Sequence, residues 1–168
     1  RDKVFNDRTP CQLNPRRQPL GQLDNGLSVE SLLWWSQEGL FNHGMLFSAG
    51  SVEGNTGETA NNAASSDAQS NGGFSKPVTI ALWPRGTKQI ETHLDWIRET
   101  CLAGRSVLVL DVSGDGAVMP NSINDRGLHD FYGTLHKLTI DLFWLDDSLA
   151  ALRTYDVLRA LDLVDFFS

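Results

Sequence analysis

The sequence predicts an α/β protein whose core is a sheet of mostly parallel strands flanked by helices. Two short apolar runs, VTIALW (78–83) and SVLVLDV (106–112), lack the polar alternation of a half-exposed strand, so each is expected to be covered on both faces. Between them, KQIETHLDWIRETCLAG (88–104) repeats Ile90, Leu94, Ile97 and Cys101 or Leu102 at helical spacing and closes on Gly104. Strand, helix, strand is the order of a parallel crossover unit.

The remaining elements follow along the chain. Residues 1–26 are rich in Pro, Arg, Gln and Asn without periodicity and read as extended. SVESLLWWSQEGL (28–40) has Ser28 as a helix cap, with Glu30 or Ser31 in the first turn. It sets Leu32, Leu33, Trp35 and Leu40 near one side, so a short helix is expected. GMLFSAG (44–50) suits a strand of about four or five residues. Residues 1–49 thus form a lead-in segment with a short helix. Residues 50–76, almost wholly Gly, Ser, Asn, Ala and Thr, bury too little surface to offset their ordering entropy and read as a flexible insertion. The core is expected over 77–168. Within it, DRGLHDFYGTLHK (125–137) reads as a loop. Leu138, Leu142, Leu145, Leu149 and Leu152, continuing through Leu158 and Leu161, step by three and four, which predicts one amphipathic helix of about 24 residues.

Composition narrows the function. A formal net charge of −7 disfavours a nucleic-acid surface, which needs clustered Lys and Arg. No apolar run approaches the ~18 residues that span a bilayer. Cys11 and Cys101 have no metal-ligand spacing and read as idle thiols more readily than as a disulfide. The histidines, His43, His93, His129 and His136, form no i, i+4 pair. No metal and no cofactor are expected, and nothing in the sequence singles out a catalytic histidine.

Ligands of open parallel sheets sit beyond the carboxyl ends of the strands. Asp111, Ser113, Gly114, Asp115 and Gly116 follow the second run and are the pocket-loop candidates. The simpler alternative is that Asp111 only fixes its loop through backbone amides. The nucleophile elbow G-x-S-x-G is absent: GLSVE around Ser28 lacks the final glycine, and DVSGD around Ser113 lacks the leading one.

LDVSGDG (110–116) resembles the strand and loop of α/β-hydrolases that carry D-x-R-G-x-G, with Ser113 where that family usually has Arg. RTYDVLRALD (153–162) is similar to the helix before the nucleophile strand in bacterial acetylxylan-esterase-like hydrolases, relatives of the dienelactone hydrolases. PLGQLDNGLSVESL (19–32) resembles the segment preceding their core. The likeness covers roughly residues 18–35 and 77–165. It implies a hydrolase sheet cut before its nucleophile strand, with the Ser-His-Asp triad lying after Ser168 and no catalytic residue in this chain. It also implies that the loop after the first parallel strand supplies an oxyanion donor. Pro84 has no N–H, which leaves Arg85 and Gly86. The implied parent reaction is hydrolysis of a small ester or acylated carbohydrate, with this chain inactive alone. A non-catalytic α/β ligand-binding domain and a degenerate hydrolase-like domain are the alternatives. The hydrolase reading, with its incomplete sheet, expects the last helix to lack a full partner surface and Phe166 and Phe167 to be exposed, whereas the ligand-binding reading expects a self-sufficient fold.

Overall fold

A computed structural model describes residues 2–5, 8–24, 26–49 and 73–168. A short helix α1 (Asp2–Phe5) is followed by strands β1 (Arg16–Gln22), β2 (Leu27–Gln37), β3 (Leu40–Ala49) and β4 (Val78–Ala81). Helix α2 (Ile90–Leu102), strand β5 (Ser106–Asp111) and helices α3 (Thr134–Trp144) and α4 (Leu149–Phe166) complete the chain. The insertion expected over 50–76 lies largely outside the described residues.

The five strands form one sheet in the order β1-β2-β3-β5-β4. As expected, β4 and β5 are parallel neighbours, with Val78 opposite Ser106 and Ala81 opposite Val109, and α2 connects them. The sheet is nevertheless mixed rather than mostly parallel, because β1–β2, β2–β3 and β3–β5 are all antiparallel. The cause is local. Short turns join the first three strands, and only a crossover of about a dozen residues or more can join parallel ones.

The helix expected over 28–40 is strand β2 running into β3. Leu27 and Val29 are buried on one face of the sheet, whereas Leu32, Trp34 and Ser36 are buried on the other, with Leu33 and Trp35 exposed between them. Burial that changes face halfway along a strand puts apolar residues three apart and imitates a helical stripe. Gly39, at φ 78°, supplies the left-handed turn between β2 and β3.

Helices cover both faces. Leu32, Trp34, Leu46, Leu108 and Leu110 meet Ala160, Leu163 and Phe167 at the α4 end of the chain. Val29, Phe47, Val107 and Val109 pack with Ile97 and Cys101 of α2. All six residues of β5 are buried, as expected for a strand between two neighbours with a helix layer on each face.

The single long helix predicted from Leu138 is two helices. Asp146 takes φ 57°, and the Ser148 hydroxyl accepts from the Ala151 amide at 3.1 Å to start α4. Asp-Asp-Ser offers the backbone side-chain partners that compete with helix continuation. His136 consequently lies on α3 rather than in a loop. Phe166 is exposed, as expected, but Phe167 is buried against the ring of Phe74, whose amide donates to its carbonyl at 2.6 Å. Cys11 and Cys101 are free thiols. No helix among the described residues is long and apolar enough to cross a membrane.

Candidate functional site

Two loops leave the carboxyl ends of the parallel pair, and Asp111 binds them together. It is the last residue of β5, and its side chain has no solvent exposure. Its Oδ1 accepts from the Thr87 amide at 2.7 Å, and its Oδ2 accepts from the Thr87 hydroxyl at 2.6 Å. The same Oδ2 lies 2.7 Å from His43 Nδ1, and His43 Nε2 lies 3.0 Å from the Ser31 hydroxyl. Burial alone would raise the Asp111 pKa. Contacts with His43, with the Thr87 hydroxyl and amide, and with the Ala117 amide outweigh it and hold the carboxyl below its ordinary value.

Asp115 makes a second tie. Its carboxylate accepts from its neighbour Gly116 at 2.9 Å and, across the gap, from the Arg85 amide at 3.1 Å. Arg85 sits at φ 68°, a conformation that costs a non-glycine residue energy and is held here by the loop's contacts. The Gly86 amide turns inward to the Trp83 carbonyl at 3.1 Å, while the Trp83 indole donates to the Gly86 carbonyl at 2.7 Å and stacks on His93. Gly86 and Gly116 both lie against the Asp111 carboxylate, where a Cβ on either would overlap Oδ1.

Ser113 is anchored from below by α4. Its amide donates to Asp156 Oδ2 at 2.8 Å, and its carbonyl accepts from Arg153 Nε at 3.0 Å. Asp156 is fully buried. Burial raises its pKa, and the Ser113 amide and hydroxyl offset this only in part. Asn42 and Ser36 are near enough to favour its charge electrostatically, but its Oδ1 makes no hydrogen bond, and the Asn42 and Ser36 side chains are likewise without partners. A folded-state pKa above the unfolded one gives stability that is fully present below the unfolded value and is lost as pH rises through the folded value. Asp156→Asn keeps an acceptor for the Ser113 amide and removes the ionisation. Urea midpoints are therefore expected to rise relative to the unsubstituted chain at pH 8 and to match it near pH 4.

Of the sequence candidates, Arg85, Gly86, Asp111, Asp115 and Gly116 come together at this end of the sheet, while Ser113 and Gly114 face a neighbouring cavity. Thr87, His43 and Ser31 were not singled out by the sequence. The strand register that sets His43 opposite Asp111 is a property of pairing rather than of spacing. Ser31, His43 and Asp111 touch in the sequence of a Ser-His-Asp triad, but Ser31 lies within β2, paired with Gln18 on one side and Met45 on the other. An acyl-transfer serine needs amides free to hold an oxyanion, and a strand paired on both sides does not supply them. The three residues form a hydrogen-bonded chain that steadies Asp111. Among the described residues no three potential metal ligands cluster.

No family profile matches the chain, and no curated protein matches it. A solved structure does, that of the acetyl xylan esterase from Paenibacillus sp. R4, with a TM-score of 0.51 at 20% identity. The fold is esterase-like. The likeness covers 96% of this chain but 43% of that protein, so the chain spans less than half the length of the esterase it matches. At this identity the likeness is one of fold.

Proposed function

We propose that this chain is the amino-terminal part of a serine ester hydrolase domain, carrying scaffold and one oxyanion loop, with the triad supplied by residues after Ser168. The observation that supports it most is the Arg85 amide, which stands beyond the carboxyl end of β4 and donates to a carboxylate oxygen of Asp115 at 3.1 Å, a side chain that must swing aside to admit a substrate oxygen. A developing oxyanion brings the same charge to the same donor. Of the two oxyanion candidates Arg85 fits better: its amide is engaged by a side chain, which rotation can withdraw, whereas the Gly86 amide is engaged by a backbone carbonyl within its own turn. Asp111, Ser113, Gly114, Asp115 and Gly116 form or brace the neighbouring wall of the pocket.

In the proposed reaction a serine from the following strand attacks the acyl carbon of a small ester or acylated carbohydrate. A histidine takes the serine proton and passes it to the leaving alcohol, and water then releases the acid. This chain's part is to hold the Arg85 amide in place while charge builds on the carbonyl oxygen.

The test is to continue the reading frame past Ser168 and to label the resulting protein with a fluorophosphonate. Within about 25 residues the frame is expected to encode a strand followed by G-x-S-x-G, and the label is expected on that serine. The longer protein should hydrolyse 4-nitrophenyl acetate, and residues 1–168 alone should not. A frame without the elbow, or labelling at Ser31, would overturn the reading.

A further inference from the structure

Two carboxylates stand at the carboxyl ends of the parallel pair, and they are held in different ways. Asp111 has no solvent exposure and meets the Thr87 amide, the Thr87 hydroxyl and His43. Asp115 is only half-buried, and its carboxylate meets two backbone amides: Gly116 at 2.9 Å on Oδ1 and Arg85 at 3.1 Å on Oδ2. No cation pairs with it among the described residues.

Gly116 lies between the two acids. Its amide donates to Asp115, while a Cβ on it would overlap Asp111 Oδ1. Like charges set this close oppose each other, and of the two only Asp115 has room to yield. Rotation of its side chain withdraws both oxygens into water without moving the backbone of either loop. Arg85 is itself exposed, so its amide is then open to another oxygen.

We infer that Asp115 is an autoinhibitory latch, its carboxylate occupying the Arg85 amide at rest and competing there with the carbonyl oxygen of a substrate or the carboxylate of a product acid. This rests on the reading of Arg85 as an oxyanion donor. The chemistry of the latch matches that role, since ester hydrolysis releases a carboxylate, the group that Asp115 presents. A latch closed about nine parts in ten weakens whatever binds the amide about tenfold.

Acetate is the probe, read on the isotope-labelled backbone amides of this chain. In Asp115→Ala the Arg85 signal should move saturably with acetate, and the original chain should need about tenfold more acetate for the same half-way shift. Asp115→Asn, which keeps an acceptor and drops the charge, should lie between them. The Thr87 amide, held by Asp111, should keep its exchange protection in all three and report an intact loop. In the longer protein, Asp115→Ala should lower KM for 4-nitrophenyl acetate about tenfold and strengthen inhibition by acetate equally. A merely structural loss would raise KM instead. The inference fails if Arg85 answers acetate alike in all three proteins or in none of them. It fails also if Thr87 loses protection in both variants, because Asp115 would then brace the loop rather than latch it. A longer protein that cleaves no ester removes the hydrolase reading, and the acetate titration of this chain still decides whether Asp115 guards the amide.

Discussion

Asp111→Ala is expected to lower unfolding stability by about 3 kcal/mol, read as a fall in the urea midpoint at neutral pH. The size follows from what is stranded. The carboxylate is fully buried and meets the Thr87 amide, the Thr87 hydroxyl and His43, all within 2.7 Å. Alanine leaves these groups facing an apolar methyl, and water has little room to replace the lost oxygens. The pH dependence has a definite sign. Because the folded pKa of Asp111 lies below its unfolded value, its contribution is present above the unfolded value and is lost as pH falls through the folded one. The alanine variant should therefore show a shallower loss of stability on acidification than the original chain. An unchanged acid limb would mean that the carboxylate is not the group being titrated.

Gly116→Ala should cost a similar amount, about 3 kcal/mol, for a different reason. Gly116 sits at φ 57°, which costs an L residue roughly 1 kcal/mol, and its new methyl would overlap the Asp111 carboxylate. Overpacking of that kind adds about 1–3 kcal/mol. Gly104 separates the two effects. It also has positive φ, 87°, but a Cβ there meets nothing within 4 Å. Gly104→Ala is expected to cost only about 1 kcal/mol, the backbone part alone. Equal losses at the two positions, measured by urea denaturation, would show that crowding against Asp111 contributes nothing.

Much of this architecture was legible where the chemistry is local. The β4–α2–β5 unit follows from two uninterrupted apolar runs and the Ile90–Cys101 stripe, and the position of Asp111 at a strand end follows with it. β2 was not legible as a strand because its buried residues change faces between Val29 and Leu32, which mimics helical spacing. The Gly39 turn was the available counter-signal. The break between α3 and α4 was signalled by Asp146-Asp147-Ser148, yet the leucine spacing ran through it without interruption. At the site, the glycine-rich loop was visible in the sequence, but the residues that hold Asp111 were not. His43 and Ser31 reach it only through the register of β2, β3 and β5, and Thr87 only through the packing of two loops. Such partners belong to tertiary geometry and leave no mark in spacing.

The same geometry explains why so apolar a strand ends in an acid. Asp111 is the post to which the loop after β4 is tied, and the Arg85 amide is aimed by that loop. Helix α4 braces the adjoining loop through Asp156 and Arg153, so the wall is fixed from both sides.

Amide hydrogen exchange at Thr87, compared between the original chain and Asp111→Ala, which removes the acceptor of the Thr87 amide, tests that claim most directly. The Thr87 amide is expected to be protected in the original and to exchange at least about tenfold faster in the variant, while Val107–Leu110 in β5 stay protected. Equal protection of Thr87 in both proteins would contradict the assignment of Asp111 as the group that holds the loop.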